Sequence, residues 1–283
     1  MKADSEAQLV EAVRDARERR RTVEIVGGGT RRSFGRPIAC DDVLDLSGLS
    51  GVVNYEPEEL ILTVKPGTPL EEIEAVLAQK GQRLGFEPQD WRTLLGTRGT
   101  PTIGGAISCN ANGPAAVRFG RARDHLLGFR AVNGLGEAYK AGGRVVKNVT
   151  GFDIPKLMCG AMGTLGPLTE LTFRVFPKTE AKIFVASLGP SVLRQIAASP
   201  LEATALLHAD GKAYVRLEGA LAEKTAMLIR FGDFVEADAL PGATIPENPF
   251  PPESPIRARL TRAVKAAFDP LRLFNPGRMY EGI

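Results

Sequence analysis

Val23-Glu24-Ile25-Val26-Gly27-Gly28-Gly29-Thr30 runs a short apolar strand directly into three consecutive glycines. Each glycine in place of alanine costs roughly 0.5–1 kcal/mol of backbone order, about 2 kcal/mol for the three together. Adjacent glycines of alternating handedness can turn successive N–H groups inward, forming a nest for phosphate oxygens. The dinucleotide fingerprint G-x-G-x-x-G is absent, because Arg32 stands where its third glycine belongs. A Walker loop fails too, for want of a Gly-Lys-Ser/Thr ending. Taken alone, the stretch reads equally well as a tight strand-to-loop turn.

It has company. A second glycine-rich loop, Gly96-Thr-Arg-Gly99-Thr100-Pro-Thr102-Ile103-Gly104-Gly105-Ala106-Ile-Ser108, follows about seventy residues later. Its N–H groups and the hydroxyls of Thr100, Thr102 and Ser108 offer a second phosphate face. Two such loops predict a diphosphate clasped from both sides. A third cluster, Gly142 to Gly151, precedes Cys159-Gly-Ala-Met-Gly-Thr-Leu-Gly166, where glycines let the backbone approach a flat ring closely.

Composition bounds the alternatives. With 283 residues, 43% of them apolar, the chain can bury roughly three quarters of its unfolded surface. Three cysteines, odd in number and without a CxxC pair, read as reduced thiols of a cytosolic compartment. The charged N-terminus lacks the apolar core of a leader, and no run approaches the 18 or more apolar residues of a bilayer span. A net charge of +3 is too balanced for a nucleic-acid binder. The basic cluster Arg17 to Arg21 fits the negative end of a helix macrodipole.

Along the chain the pattern is α+β. Ser5 with Gln8 opens a helix whose apolar face is Leu9, Val10, Val13 and Ala16. Strands are expected at 22–26, 43–46, 52–55 and 60–64. Thr68-Pro69-Leu70-Glu71 then reads as N-cap, N1 proline and capping glutamate of a helix closed by Gly81. After a long loop at 82–103, strands are expected at 126–133, 138–141 and 168–176. A smaller set follows, a strand at 182–188, a helix at 190–198, strands at 203–208 and 212–218, and a helix at 220–231, in a split βαββα order. Six prolines between 241 and 255 make a stiff connector to a last helix, 256–268.

GGGT after a strand, TIGGAIS, RDHLLGFRAVNGLGE, KNVTGFDIPKLMCGAMGTLGPLTELTFRVFP and FDPLRLFNPGRM together resemble the vanillyl-alcohol oxidase/PCMH-type FAD-binding family. Within it the chain is most similar to the FAD-binding second subunits of bacterial glycolate oxidases. The similarity covers residues 20–178 and 256–283. It implies a PCMH-type FAD-binding domain of two α/β subdomains at 1–178, a small α+β cap with its connector at 179–255, and a C-terminal helix at 256–283 that returns to the first domain. It also implies a subunit of a glycolate (2-hydroxy acid) oxidase complex, with a second FAD-binding catalytic subunit and an iron–sulphur subunit as partners. Such a complex is cytoplasmic, with a peripheral place on the inner membrane open. An autonomous oxidoreductase of a small hydroxy acid, and a structural subunit without stable flavin, are the alternatives.

Carried over residue by residue, the resemblance puts the pyrophosphate between Val26, Gly27, Gly28, Gly29 and Thr30 on one side and Gly99, Thr100, Thr102, Ile103, Gly104, Gly105, Ala106 and Ser108 on the other. Val145 and Val146 fall at the adenine end, Pro66 and Gly67 border the channel, and Asn148, Thr150 and Gly151 lie nearer the ring. Thr30 occupies the place where covalently linked members carry histidine, so FAD is expected without a covalent bond. The histidine-rich substrate motif of hydroxy-acid-oxidising members is missing, as only His125 and His208 occur, and His125 reads as a structural hydrogen-bonding partner. Candidates over the flavin are Asn275 (otherwise a turn former), Arg216 (otherwise an exposed sheet charge) and Lys147 (otherwise solvated). Phe86 and Trp91 read as packing rather than as ring shields.

Overall fold

The computed structural model describes residues 1–144, 153–242, 245 and 249–283. The first helix, α1 (Glu6–Glu18), starts at Ser5, whose hydroxyl accepts from the Gln8 N–H, and buries Leu9, Val13 and Ala16. That stripe packs on two parallel strands, β1 (Val23–Val26) and β2 (Asp42–Asp45). The same cluster includes Leu273 and Phe274 from the far end of the chain.

The second unit is a five-stranded antiparallel sheet. Its chain order is β3 (Val52–Glu56), β4 (Ile61–Val64), β5 (Leu126–Val132), β6 (Ala138–Gly142) and β7 (Leu168–Arg174), and its spatial order is β3-β4-β7-β5-β6. α2 (Leu70–Ala78) contributes Ile73 and Leu77 to the core it covers, and α3 (Ile103–Ser108) adds Ile103, Ala106 and Ile107. The expected N-cap at Thr68 is not formed. α2 begins after Pro69 without a side-chain cap, while Thr68 Oγ1 accepts from the Gly51 N–H and donates to the carbonyl of Lys65 at 2.7 Å. A fully buried hydroxyl satisfies the tighter turn rather than the helix end. The loop expected at 82–103 is interrupted by a pairing of Gln82–Arg83 with Phe176–Pro177 and by a helical turn at Arg92–Leu95.

A smaller antiparallel sheet follows with its own core of Phe184, Val215 and Leu217. Its elements are β8 (Ala181–Ala186), α4 (Ser191–Ala197), β9 (Ala205–Ala209), β10 (Lys212–Glu218), α5 (Leu221–Leu228) and β11 (Val235–Ala237). The order β9-β10-β8-β11 adds a fourth strand to the expected βαββα set. α6 (Pro255–Phe268) then carries the chain back, and the tail lays Phe274 beside Val23 as a further parallel bridge on β1.

Candidate functional site

Where β1 ends, the first glycine loop touches the second at Gly28 and Gly99–Thr100. A Cβ on Gly28 would stand 1.7 Å from the Thr100 carbonyl oxygen, and one on Gly99 would stand 2.2 Å from that of Gly28. Both positions admit only glycine, because main chain fills the space a side chain needs. Thr102 caps α3 by accepting from the Gly105 N–H, which sets the second loop's helical start against the first loop.

Between the loops lies a pocket lined by residues 24–32, Thr102, Gly104, Gly105, Ser108 and Cys109, closed by Leu46 and Pro66, by Met162, Gly163 and Gly166, and by Asn275 and Arg278. The N–H groups of Gly27, Gly28, Gly29 and Thr30 find no acceptor among the described residues. Four successive free donors on a pocket wall form an anion nest. A neighbouring recess is lined by Gly27, Gly28, Gly67 and Thr100 with Ser47 and Ser50.

The expected residues divide accordingly. Val26, Gly27 to Gly29, Thr30, Pro66, Thr102, Gly104, Gly105 and Ser108 reach the pocket, and Gly67 and Thr100 reach the recess. Gly99 lines neither, as it packs against the Gly28 carbonyl, and Ile103 and Ala106 do not because both are buried in the main core and serve as the apolar face of α3. Val145, Val146, Lys147, Asn148, Thr150 and Gly151 lie outside the described residues.

Two of the residues expected over the flavin have their polar groups engaged by protein partners. Asn275 borders the pocket, but Oδ1 accepts from the Ile25 N–H at 2.8 Å and Nδ2 donates to the Met162 carbonyl at 2.6 Å. Its amide is consumed in joining the tail to β1 and the Met162 turn. Arg216 is absent from the pocket wall, and its guanidinium bonds Thr204 and reaches Glu87 at 2.9 Å. Phe86 and Trp91 pack in the core as expected.

The pocket's charges go beyond the glycine pattern. Arg278 donates to Glu24 at 2.8 Å and to the Arg32 carbonyl at 2.7 Å, while Arg32 holds the other Glu24 oxygen. Arg31 is different. It is 7% exposed, donates from Nη2 to the Gln89 carbonyl at 2.6 Å, and lies over the Trp91 ring, with Nε and Nη1 unpartnered among the described residues. Burial presses its pKa below the ordinary guanidinium value. Burial also pushes the Cys109 thiol up to about 11, so that it is protonated at neutral pH.

The family described as FAD binding domain matches residues 1–142. Glycolate oxidase subunit GlcE of Escherichia coli (strain K12) is 36% identical over 76% of this chain and 61% of its own length. D-2-hydroxyglutarate dehydrogenase of Xanthomonas citri pv. viticola is 34% identical over 61% of this chain and 36% of its own. Glycolate oxidase subunit GlcD of Bacillus subtilis (strain 168) is 31% identical over 59% of this chain and 34% of its own. The chain thus spans about three fifths or less of the length of these relatives. Among solved structures, an alkyldihydroxyacetonephosphate synthase superposes with a TM-score of 0.67 at 16% identity, over 86% of this chain and 52% of that one. That likeness shows a shared fold.

Proposed function

Because the chain belongs to the FAD binding domain family, we propose that it is the FAD-bearing subunit of a glycolate (2-hydroxy acid) oxidase complex, passing electrons between a catalytic flavoprotein subunit and an iron–sulphur subunit. The observation that carries the cofactor reading is the nest of four free N–H groups facing a second glycine loop across one pocket. The residues present fit the group. Glycines at 28 and 99 bring main chain to within a Cβ's space of main chain, and a diphosphate suits donors that lack any protein acceptor.

When bound, the flavin supplies reversible hydride or electron exchange. The protein's part is to hold and orient. Gly27 to Thr30 would donate to the phosphates, Ser108 and Thr102 would add hydroxyls, and Pro66 and Gly67 would border the channel. Among the described lining residues there is no imidazole and the Cys109 thiol is protonated, so FAD is held non-covalently. Acid precipitation should release the flavin into the supernatant, and flavin retained in the pellet would contradict this.

The same wall supports a division of labour. Abstracting a hydroxyl proton needs a base within reach. Among the described lining residues the one carboxylate, Glu24, is engaged by Arg32 and Arg278, and no histidine is present. In this reading the catalytic partner oxidises the hydroxy acid and this chain relays electrons. The complex works in the cytoplasm, with its place on the inner membrane peripheral; no helix among the described residues is long and apolar enough to cross a membrane. The test is anaerobic mixing with glycolate. The purified chain should show flavin absorbance that does not bleach alone and bleaches once the partner subunits are added. Bleaching by the chain alone overturns the relay, and absence of flavin overturns the cofactor assignment.

A further inference from the structure

We propose that Arg31 is the pocket's charge-reading contact, donating from Nε and Nη1 to the diphosphate of FAD and so selecting phosphate-bearing flavins over bare ones. The proposal rests on the cofactor reading above and adds a residue that neither the glycine pattern nor the family resemblance assigns.

Three observations carry it. First, a guanidinium that is 7% exposed keeps two nitrogens without a partner among the described residues. Buried polar groups are nearly always satisfied, and a buried charge without a counter-ion marks the place of a missing anion. Second, Arg31 stands apart from the pocket's other guanidiniums. Arg32 and Arg278 share Glu24, and the nearby carboxylate of Asp90 is taken by Arg92 at 2.6 Å. Arg31 therefore makes no ion pair with a carboxylate among the described residues and feels Asp90 only at a distance. Third, the side chain is aimed. The Gln89 carbonyl fixes Nη2, the Trp91 ring lies 5.1 Å from the guanidinium carbon, and a Cβ on Gly105 would sit 3.9 Å from Nη1. The residue directly after the nest thus lays its cation beside Gly105 of the second glycine loop, on the wall of the same pocket. Charge-assisted hydrogen bonds to phosphate are the strong kind, and arginine suits them.

The experiment titrates the apo chain with FAD and with riboflavin, which lacks phosphate, following flavin fluorescence, for wild type, Arg31→Met and Arg31→Lys. Losing the charged contact should weaken FAD roughly 10- to 100-fold. Riboflavin should bind wild type and Arg31→Met within about two-fold of each other, since it offers no charge to read. Lysine should recover part of the loss as a point charge, and added salt should weaken FAD more in wild type than in Arg31→Met. The apo methionine variant should melt no lower than wild type, because it removes an unpaired buried cation, while its melting-temperature gain on adding FAD shrinks. Equal weakening of FAD and riboflavin, or unchanged FAD binding in Arg31→Met, overturns the proposal. Should the methionine variant not fold, the ratio of FAD to riboflavin affinity in Arg31→Lys must still fall below that of wild type, and an unchanged ratio overturns the proposal equally. A wild-type chain that binds neither flavin overturns the cofactor reading instead.

Discussion

At Gly28 two strands of main chain leave no room for even a methyl group. A Cβ there would lie 1.7 Å from the Thr100 carbonyl oxygen, and that atom belongs to backbone and cannot rotate away. Gly28→Ala must push the loops apart. We expect a loss of about 1–3 kcal/mol in urea unfolding and no measurable FAD in the purified variant, because the nest opens with the clash. Asn275 makes the opposite case, a polar residue at the pocket whose polarity is already used. It holds φ at +42°, a conformation asparagine tolerates better than most residues, while its amide spans Ile25 and Met162. Asn275→Asp keeps the acceptor for Ile25 and sets a carboxylate oxygen against the Met162 carbonyl. It should destabilise the fold by about 1–3 kcal/mol. At saturating FAD its rate of reduction in the assembled complex should match wild type, and a slower rate at full occupancy would restore the catalytic role that the tail motif implies.

At the scale of elements, a buried ion pair joins the end of α6 to the tail. Lys265 and Asp269 are 1% and 0% exposed, and Lys265 Nζ also donates to the carbonyls of Thr164 and Phe274 at 2.6 and 2.8 Å. Asp269 in turn accepts from the N–H groups of Leu273 and Phe274. Lys265→Met strands that carboxylate and should cost about 3–5 kcal/mol, read by chemical unfolding. The helical turn Ala122–His125 carries a pH signal. His125 is buried, its Nε2 lies 3.3 Å from the Gly120 carbonyl and Nδ1 has no partner among the described residues, and burial holds its pKa below the usual imidazole value. The unfolded chain therefore takes up the proton first as pH falls. The stability that depends on the neutral ring is complete above pH of about 6.5 and is lost on acidification below it. Between pH 7.5 and 5.5 the melting temperature of wild type should fall more steeply than that of His125→Gln. Sequence carries α1 and its Ser5 cap because the capping bond is local. It misplaces the start of α2 because the Thr68 hydroxyl is claimed by Gly51 and Lys65, a turn contact that no helical spacing reveals. It misses β11 for a related reason, since a three-residue edge strand exists only through its pairing with β8.

Across the whole molecule, what is legible follows the same division between local and distant causes. The glycine loops can be read because their conformational cost arises where they stand, whereas the pairing of Glu24 with Arg278 joins residues 254 positions apart. Arg216 reads as a candidate over the flavin or as an exposed sheet charge because an alternating strand sets it on one face of a sheet, and nothing in that alternation reveals which surface the face meets. It meets the large unit. Arg216 reaches Glu87 at 2.9 Å, and Arg83 bonds Glu218 and Glu87 from the other side, with Thr179 donating to Glu218 at 3.1 Å. Glu218 is buried, so this network fastens the small sheet to the large one through desolvated charges. Truncating one member should hurt more than its net worth, because the partners remain charged in place. Arg216→Ala should lower stability by about 3–5 kcal/mol. Hydrogen exchange should rise across β8 to β10 before it rises in the five-stranded sheet. FAD affinity should stay within about two-fold of wild type, since Arg216 does not line the pocket. A tenfold loss of FAD with unchanged exchange in the small sheet would mean that this network shapes the cofactor site rather than the junction.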